Sequence, residues 1–178
     1  QTACLDQAHG NTASQDGLEA SVKMTNALLH YVRNIGVPQR PVATIKANQK
    51  GEQLFNDIGC AACHTPSFKT REDYEPKHLA GQTIWPYTDL LLHDMGPALA
   101  DNRPEGSASG SEWRTPPLWG IGLTEIVNQH TRFLHDGRAR NLAEAVLWHG
   151  GEAEASKQAF VQMPKDDRTA LIRFLNSL

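Results

Sequence analysis

Cys60-Ala61-Ala62-Cys63-His64 sets two thiols three positions apart and an imidazole directly after the second. This is the C-x-x-C-H pattern through which a c-type haem is attached. The two vinyl groups of a haem lie on adjacent pyrroles, and thiols at this spacing on a tight turn reach both. The following residue then brings its imidazole beneath the iron, which makes His64 the proximal ligand. The small side chains of Ala61 and Ala62 let the backbone lie close to the macrocycle. Other C-x-x-C chemistries fit less well. A zinc knuckle needs a second Cys/His pair at matching spacing, and the remaining cysteine, Cys4, stands alone. A thioredoxin-like pair follows a strand and opens a helix, whereas here a helix precedes the motif and a loop follows it. The chemistry implied is electron transfer through one covalent haem c.

A sixth iron ligand has several candidates: Met95, Met163, His93, His130, His135 and His149. Met163 precedes Pro164 and a terminal helix, a placement that resembles the axial Met of single-haem cytochromes. His149 closes a capped helix between Trp148 and Gly150-Gly151, a rigid perch with room for a porphyrin. A Met/His pair raises the reduction potential and a bis-His pair lowers it, so the choice sets the electron-transfer role. Arg114, Arg138 and Arg140 are candidates for neutralising haem propionates, because a guanidinium fork matches a carboxylate. For Arg140 a solvated surface position is as good a reading. The four tryptophans, Trp85, Trp113, Trp119 and Trp148, read first as packing residues, with a shortened electron path as a second role. Tyr87 and Asp89 read as structural.

These residues need elements to hold them. Apolar positions Leu18, Val22, Leu28, Leu29, Val32 and Ile35 recur at helical spacing from Asp16 to Ile35, with Asp16 as N-cap and Gly36 and Pro38 as terminators. Residues 36–49, with Pro38 and Pro41, read as an extended linker. A second helix, 51–58, places Leu54, Phe55 and Ile58 on one face and leads into the haem motif, with Phe55 and Ile58 against one haem edge. Residues 65–122 form a long Pro-, Gly-, Ser- and Trp-rich stretch, which a haem would organise. Asn141 and Glu144 form a capping-box pattern for a helix closed by Gly150-Gly151. Helices at 152–161 and 165–178 follow, the last with Leu171, Phe174, Leu175 and Leu178 facing inward. The expected architecture is mostly α. It comprises an N-terminal extension over 1–49 and, over 50–178, a cytochrome c-like helical domain whose long irregular loops wrap one c-type haem.

Bulk properties exclude several classes. With 178 residues, 39% of them apolar, the chain builds one modest core. A net charge of −3 with scattered basic residues gives no nucleic-acid partner. No apolar run approaches the length of a membrane span. Gln1-Thr2-Ala3-Cys4 lacks the basic and apolar regions of a secretory signal; a cleaved mature chain or a fragment of a longer protein accounts for that start. An odd cysteine in an exported protein suggests a partner elsewhere.

An ordered set of motifs then carries a resemblance. It comprises Gly59-Cys60-Ala61-Ala62-Cys63-His64, Trp85-Pro86-Tyr87-Thr88-Asp89, His93-Asp94-Met95-Gly96, Arg114-Thr115-Pro116-Pro117-Leu118-Trp119-Gly120, Phe133-Leu134-His135-Asp136-Gly137-Arg138 and Glu144-Ala145-Val146-Leu147-Trp148-His149-Gly150-Gly151-Glu152-Ala153. Over residues 18–178 the chain resembles the C-terminal part of the di-haem oxidoreductases, also labelled thiol oxidoreductases, which are similar to bacterial di-haem cytochrome c peroxidases. The resemblance implies export to the periplasm and two haem domains, of which this chain has the second. An N-terminal haem domain of the same protein would then be missing here and would supply a partner for Cys4. In the peroxidase relatives the second domain holds a high-potential haem. That haem takes electrons from a small redox donor protein and passes them to a peroxide-reactive haem. Its distal ligand is a Met on the helix after the His-Asp-Gly turn. In this sequence His149 stands there, which favours His64/His149 ligation, with Met163 second and Met95 third. The implied function is electron acceptance within a periplasmic di-haem peroxidase-like oxidoreductase. The alternative is a stand-alone electron-transfer cytochrome c without catalysis. The thiol label has no support in these residues, because Cys60 and Cys63 would be consumed as thioethers.

Overall fold

The computed structural model describes residues 6–178; Cys4 lies outside them. The chain divides after Val37 into two compact units. The first holds helix α1, Val22–Arg33. It starts later than the periodicity predicts, because Thr12 and Leu18 close a tight turn that takes Asp16 into a left-handed backbone. Ser21 caps the helix through the amide of Met24, and Asp16 still accepts from the Val22 amide at 3.2 Å. No residue of α1 is buried, so its apolar stripe is exposed.

The second unit, 38–178, is built on a helical frame. Helix α2, Val42–Ala47, occupies part of the segment expected to be extended: Pro41 stands at its N-cap, where the missing amide costs nothing. Helix α3, Gln49–Asp57, leads to a 3-10 turn over Cys60–Ala62. Four more helices follow: α4, Thr124–Asn128; α5, Leu142–Trp148; α6, Glu154–Gln162; and α7, Lys165–Leu175. With seven α-helices among the described residues and only short strands, the chain is largely α.

Helix α3 crosses α7 closely at Gly51, where a Cβ would stand 2.5 Å from that of Phe174. The close crossing seals an aromatic cluster. Phe55 packs on Phe174 at 5.4 Å between ring centroids, and Tyr87 lies edge-on to both at 5.9 Å. Leu171, Phe174, Leu175 and Leu178 all face inward, as their spacing predicts, and meet Leu118, Leu142 and Phe160.

The stretch 65–122 is not wholly irregular. Strands β1, Phe68–Lys69, and β2, Thr83–Ile84, pair antiparallel with Phe68 opposite Ile84. Strands β3, Leu92–Asp94, and β4, Glu112–Arg114, pair likewise, with His93 opposite Trp113. Two or three residues are too few to show alternation, so the sequence does not reveal these ribbons. Among the described residues, no helix is long and apolar enough to cross a membrane.

Candidate functional site

The 3-10 turn after α3 begins from Gly59 in a left-handed backbone (φ 88°). It closes with the His64 amide donating to the Cys60 carbonyl at 2.9 Å. This brings Cys60, Cys63 and His64 onto one turn. Burial pushes the Cys60 thiol up to about 11 and also raises Cys63, to which the carboxylates of Asp89 and Glu152 add. Neither thiol is an activated thiolate.

The segment Tyr87-Thr88-Asp89 runs beside the turn. The Thr88 amide donates to Thr65 at 3.0 Å and the Asp89 amide to Cys63 at 2.8 Å. His64 Nδ1 lies 3.0 Å from the main-chain carbonyl of Tyr87. A carbonyl only accepts, so Nδ1 carries the proton. Burial pulls the His64 pKa down to about 4; the Tyr87 hydrogen bond opposes that shift and the nearby His149 adds to it. The ring is therefore neutral, with its lone pair on Nε2.

His149 arrives from the other side of the chain by the same logic. Asn141 caps α5 by accepting from the Glu144 amide at 2.8 Å. The reciprocal half of the box shifts by one residue: Glu144 accepts from the amide and guanidinium of Arg140 rather than from Asn141. At the far end of α5, His149 Nδ1 donates to the Ala145 carbonyl at 2.7 Å. Burial lowers the His149 pKa, so it too is neutral with a free Nε2 lone pair. Two partly buried imidazoles, each oriented by a main-chain carbonyl, are thus within electrostatic reach of one another. Among the described residues neither Nε2 has a protein partner. Rings held in this way are suited to bind a metal.

The other candidates are otherwise engaged. Met163 caps the end of α6 and packs against the core. Met95 donates its amide to Ser111 at 2.9 Å, and its carbonyl lies against Gly150. His130 accepts from the Arg132 amide through Nδ1 at 3.1 Å. His135 stacks on Trp113 at 3.6 Å between centroids. Of the arginines, Arg138 bonds Asp136 at 2.6 Å and the Ala98 carbonyl, and lies over the Trp148 ring. Arg140 is taken by Glu144. Arg114 is exposed on β4, opposite Leu92. An open, apolar groove of about 540 Å³, lined by Ala143, Leu147, Phe160, Val161 and Ile172 among others, contains none of the site residues.

Sequence reasoning missed two parts of the site. One is the Tyr87 carbonyl, which no side-chain pattern signals. The other is the role of His93, a candidate ligand whose Nε2 instead lies 2.8 Å from Asp89 and whose Nδ1 lies 2.9 Å from Glu152. Glu152 and then Asp89 raise the pKa of His93. An acid four residues before a histidine was a visible signal; Glu152, distant in sequence, was not.

No curated protein and no solved structure matches the chain. One family does, over residues 4–178, under the description "di-haem oxidoreductase, putative peroxidase". By this match over residues 4–178, the chain belongs to the family of di-haem oxidoreductases.

Proposed function

We propose that the second unit is a cytochrome c-like domain carrying one haem c, bound through Cys60 and Cys63, with His64 and His149 as axial ligands. It would serve as the electron-accepting domain of a periplasmic di-haem peroxidase-like oxidoreductase. The observation that carries this is the matched pair of neutral, half-buried histidines. Each has Nδ1 committed to a carbonyl and Nε2 without a protein partner. Met163 serves the core instead, which supports His149 over it.

When bound, haem supplies a one-electron couple. The residues of this chain tune and orient it. Tyr87 and Ala145 hold the two imidazoles in one tautomer, and bis-His ligation lowers the potential relative to Met/His. Cys60 and Cys63, with raised pKa values, remain thiols until they add to the vinyl groups. Arg114, exposed on β4, is free to meet a propionate, and Arg138 would reach one only by exchanging its bond to Asp136. Trp85, Leu90, Leu91 and Leu92 are each more than half exposed. They give the segment bearing Tyr87 and Asp89 an apolar outer surface of the kind an adjoining group or domain covers.

These 178 residues contain a single C-x-x-C-H, whereas the family is di-haem. Electrons would therefore come from a small redox donor protein and leave for a haem in an N-terminal domain of the same protein, where peroxide is reduced. With His64 and His149 both holding the iron, this domain would leave peroxide no open site. The test is to add peroxide to the reduced chain and follow its Soret band. Slow reoxidation without turnover is expected of this domain alone; rapid catalytic turnover contradicts the assignment.

A further inference from the structure

We propose that Asp89, His93 and Glu152 form a strut that fixes the separation of His64 and His149 and so keeps the haem closed to outside ligands. This rests on the bis-histidine reading above.

The strut is continuous. It starts at the haem-attachment turn, where the Asp89 amide donates to the Cys63 carbonyl at 2.8 Å, one residue before His64. The Asp89 carboxylate takes His93 Nε2 at 2.8 Å, and its other oxygen accepts from the Leu91 amide at 2.9 Å. His93 Nδ1 passes to Glu152 at 2.9 Å. The second oxygen of Glu152 accepts from the Asp94 amide, also at 2.9 Å. Glu152 lies three residues after His149, on the loop that leaves the ligand. Four polar contacts therefore tie the proximal turn to the distal loop without using either ligand.

The chemistry of the middle member makes the strut stiff. Carboxylates accept on both sides of His93, so both ring nitrogens carry protons and the ring is an imidazolium. Both of its bonds are charge-assisted, which strengthens them about twofold over neutral ones. The side chains of His93 and Asp89 are only 17% and 12% exposed, which limits solvent screening of that bond; Glu152 is 56% exposed, so its bond to His93 is screened more. The loop is also seated tightly on β3: Gly151 adopts a left-handed backbone (φ 53°), and a Cβ there would collide with the carbonyl of Asp94. Glu152 thus acts on a loop that already fits its seat, and holds it there.

A different use of the same residues is conceivable on distance alone, because Cys63, Asp89 and His93 place potential ligand atoms within 4.8 Å. A metal there would have to displace protons from an imidazolium bonded at both nitrogens, and the Cys63 thiol is raised rather than lowered. The hydrogen-bonded strut uses the side chains of Asp89 and His93 as they stand and only the main-chain carbonyl of Cys63.

The test is carbon monoxide binding to the ferrous, haem-loaded protein, with Glu152→Ala and the conservative Glu152→Gln beside the unaltered chain. The unaltered protein is expected to bind none. Glu152→Ala should release His149, so that carbon monoxide shifts the Soret band of the variant while leaving that of the unaltered chain in place. Glu152→Gln, which keeps an acceptor for the Asp94 amide, should fall between. Amide hydrogen exchange should speed up at His149–Ala153 and stay unchanged in α3 and α7. Should Glu152→Ala not accumulate with haem, His93→Gln makes the same comparison. If the unaltered chain stays closed and the variants do too, the strut is overturned and bis-histidine ligation survives. If the unaltered chain already binds carbon monoxide, both are overturned.

Discussion

His64 donates a 3.0 Å hydrogen bond to the backbone carbonyl of Tyr87, and the side chain of Tyr87 is itself 2% exposed, wedged between Phe55 and Phe174. One residue therefore anchors in the core with its ring and orients the proximal histidine with its main chain. Its left-handed backbone (φ 53°) carries a cost of about 1–3 kcal/mol, which the buried ring offsets. The phenol oxygen takes no part in this and instead bonds Arg40 at 3.2 Å and Glu52 at 3.3 Å. Tyr87→Phe should then lower stability by about 1 kcal/mol through those lost bonds. The visible spectrum of the ferric protein should be unchanged. Chemical denaturation and the Soret band check the two halves of this prediction separately.

His149→Met exchanges an imidazole for a thioether at the distal position. Replacing bis-His with Met/His ligation raises the potential, so a redox titration should find the variant couple more positive than that of the unaltered chain. An unchanged potential would mean that His149 is not the ligand. Met163→Leu should leave the potential where it was, because Met163 packs against the core.

The thiols behave in opposite ways under the haem and thiol-exchange readings. Burial holds Cys60 at about 11 and Cys63 above its usual range. In protein made without haem attachment, alkylation by iodoacetamide at mildly alkaline pH should be slower than for free cysteine, and slowest at Cys60. Fast alkylation at either position would indicate an activated thiolate and favour thiol chemistry.

Much of the helical frame was legible because periodicity and caps are local. Leu171, Phe174, Leu175 and Leu178 share one face of α7 and its end, and Asn141 starts α5 where its side chain demands. The haem motif was legible because its spacing is contiguous. What escaped depends on contacts distant in sequence. Helix α2 follows Pro41 in a segment whose prolines favour extended chain. The short ribbons, 68–69 with 83–84 and 92–94 with 112–114, are set by pairing rather than by alternation. His93 looked like a ligand candidate because the sequence could not show Glu152 closing on its second nitrogen.

The start of α5 gives a pH prediction. Arg140 holds the Glu144 carboxyl down from 4.5 to about 2 through its guanidinium and amide. A depressed folded value means the stabilisation is complete above pH 4.5 and fades as pH falls through 2. The difference in melting temperature between the unaltered chain and Glu144→Gln should therefore be constant from neutral pH down to about 5, then shrink on further acidification. A difference that grows in acid would contradict the assignment. Both partners meet solvent, so the effect is small.

The proposed function requires a porphyrin joined through Cys60 and Cys63. The most direct measurement is the intact mass, under denaturing conditions, of protein purified from a host that matures c-type cytochromes. The expected mass is the 19.6 kDa polypeptide plus one haem, with that increment lost when both cysteines are replaced by alanine. Polypeptide mass alone, in colourless material, would contradict it.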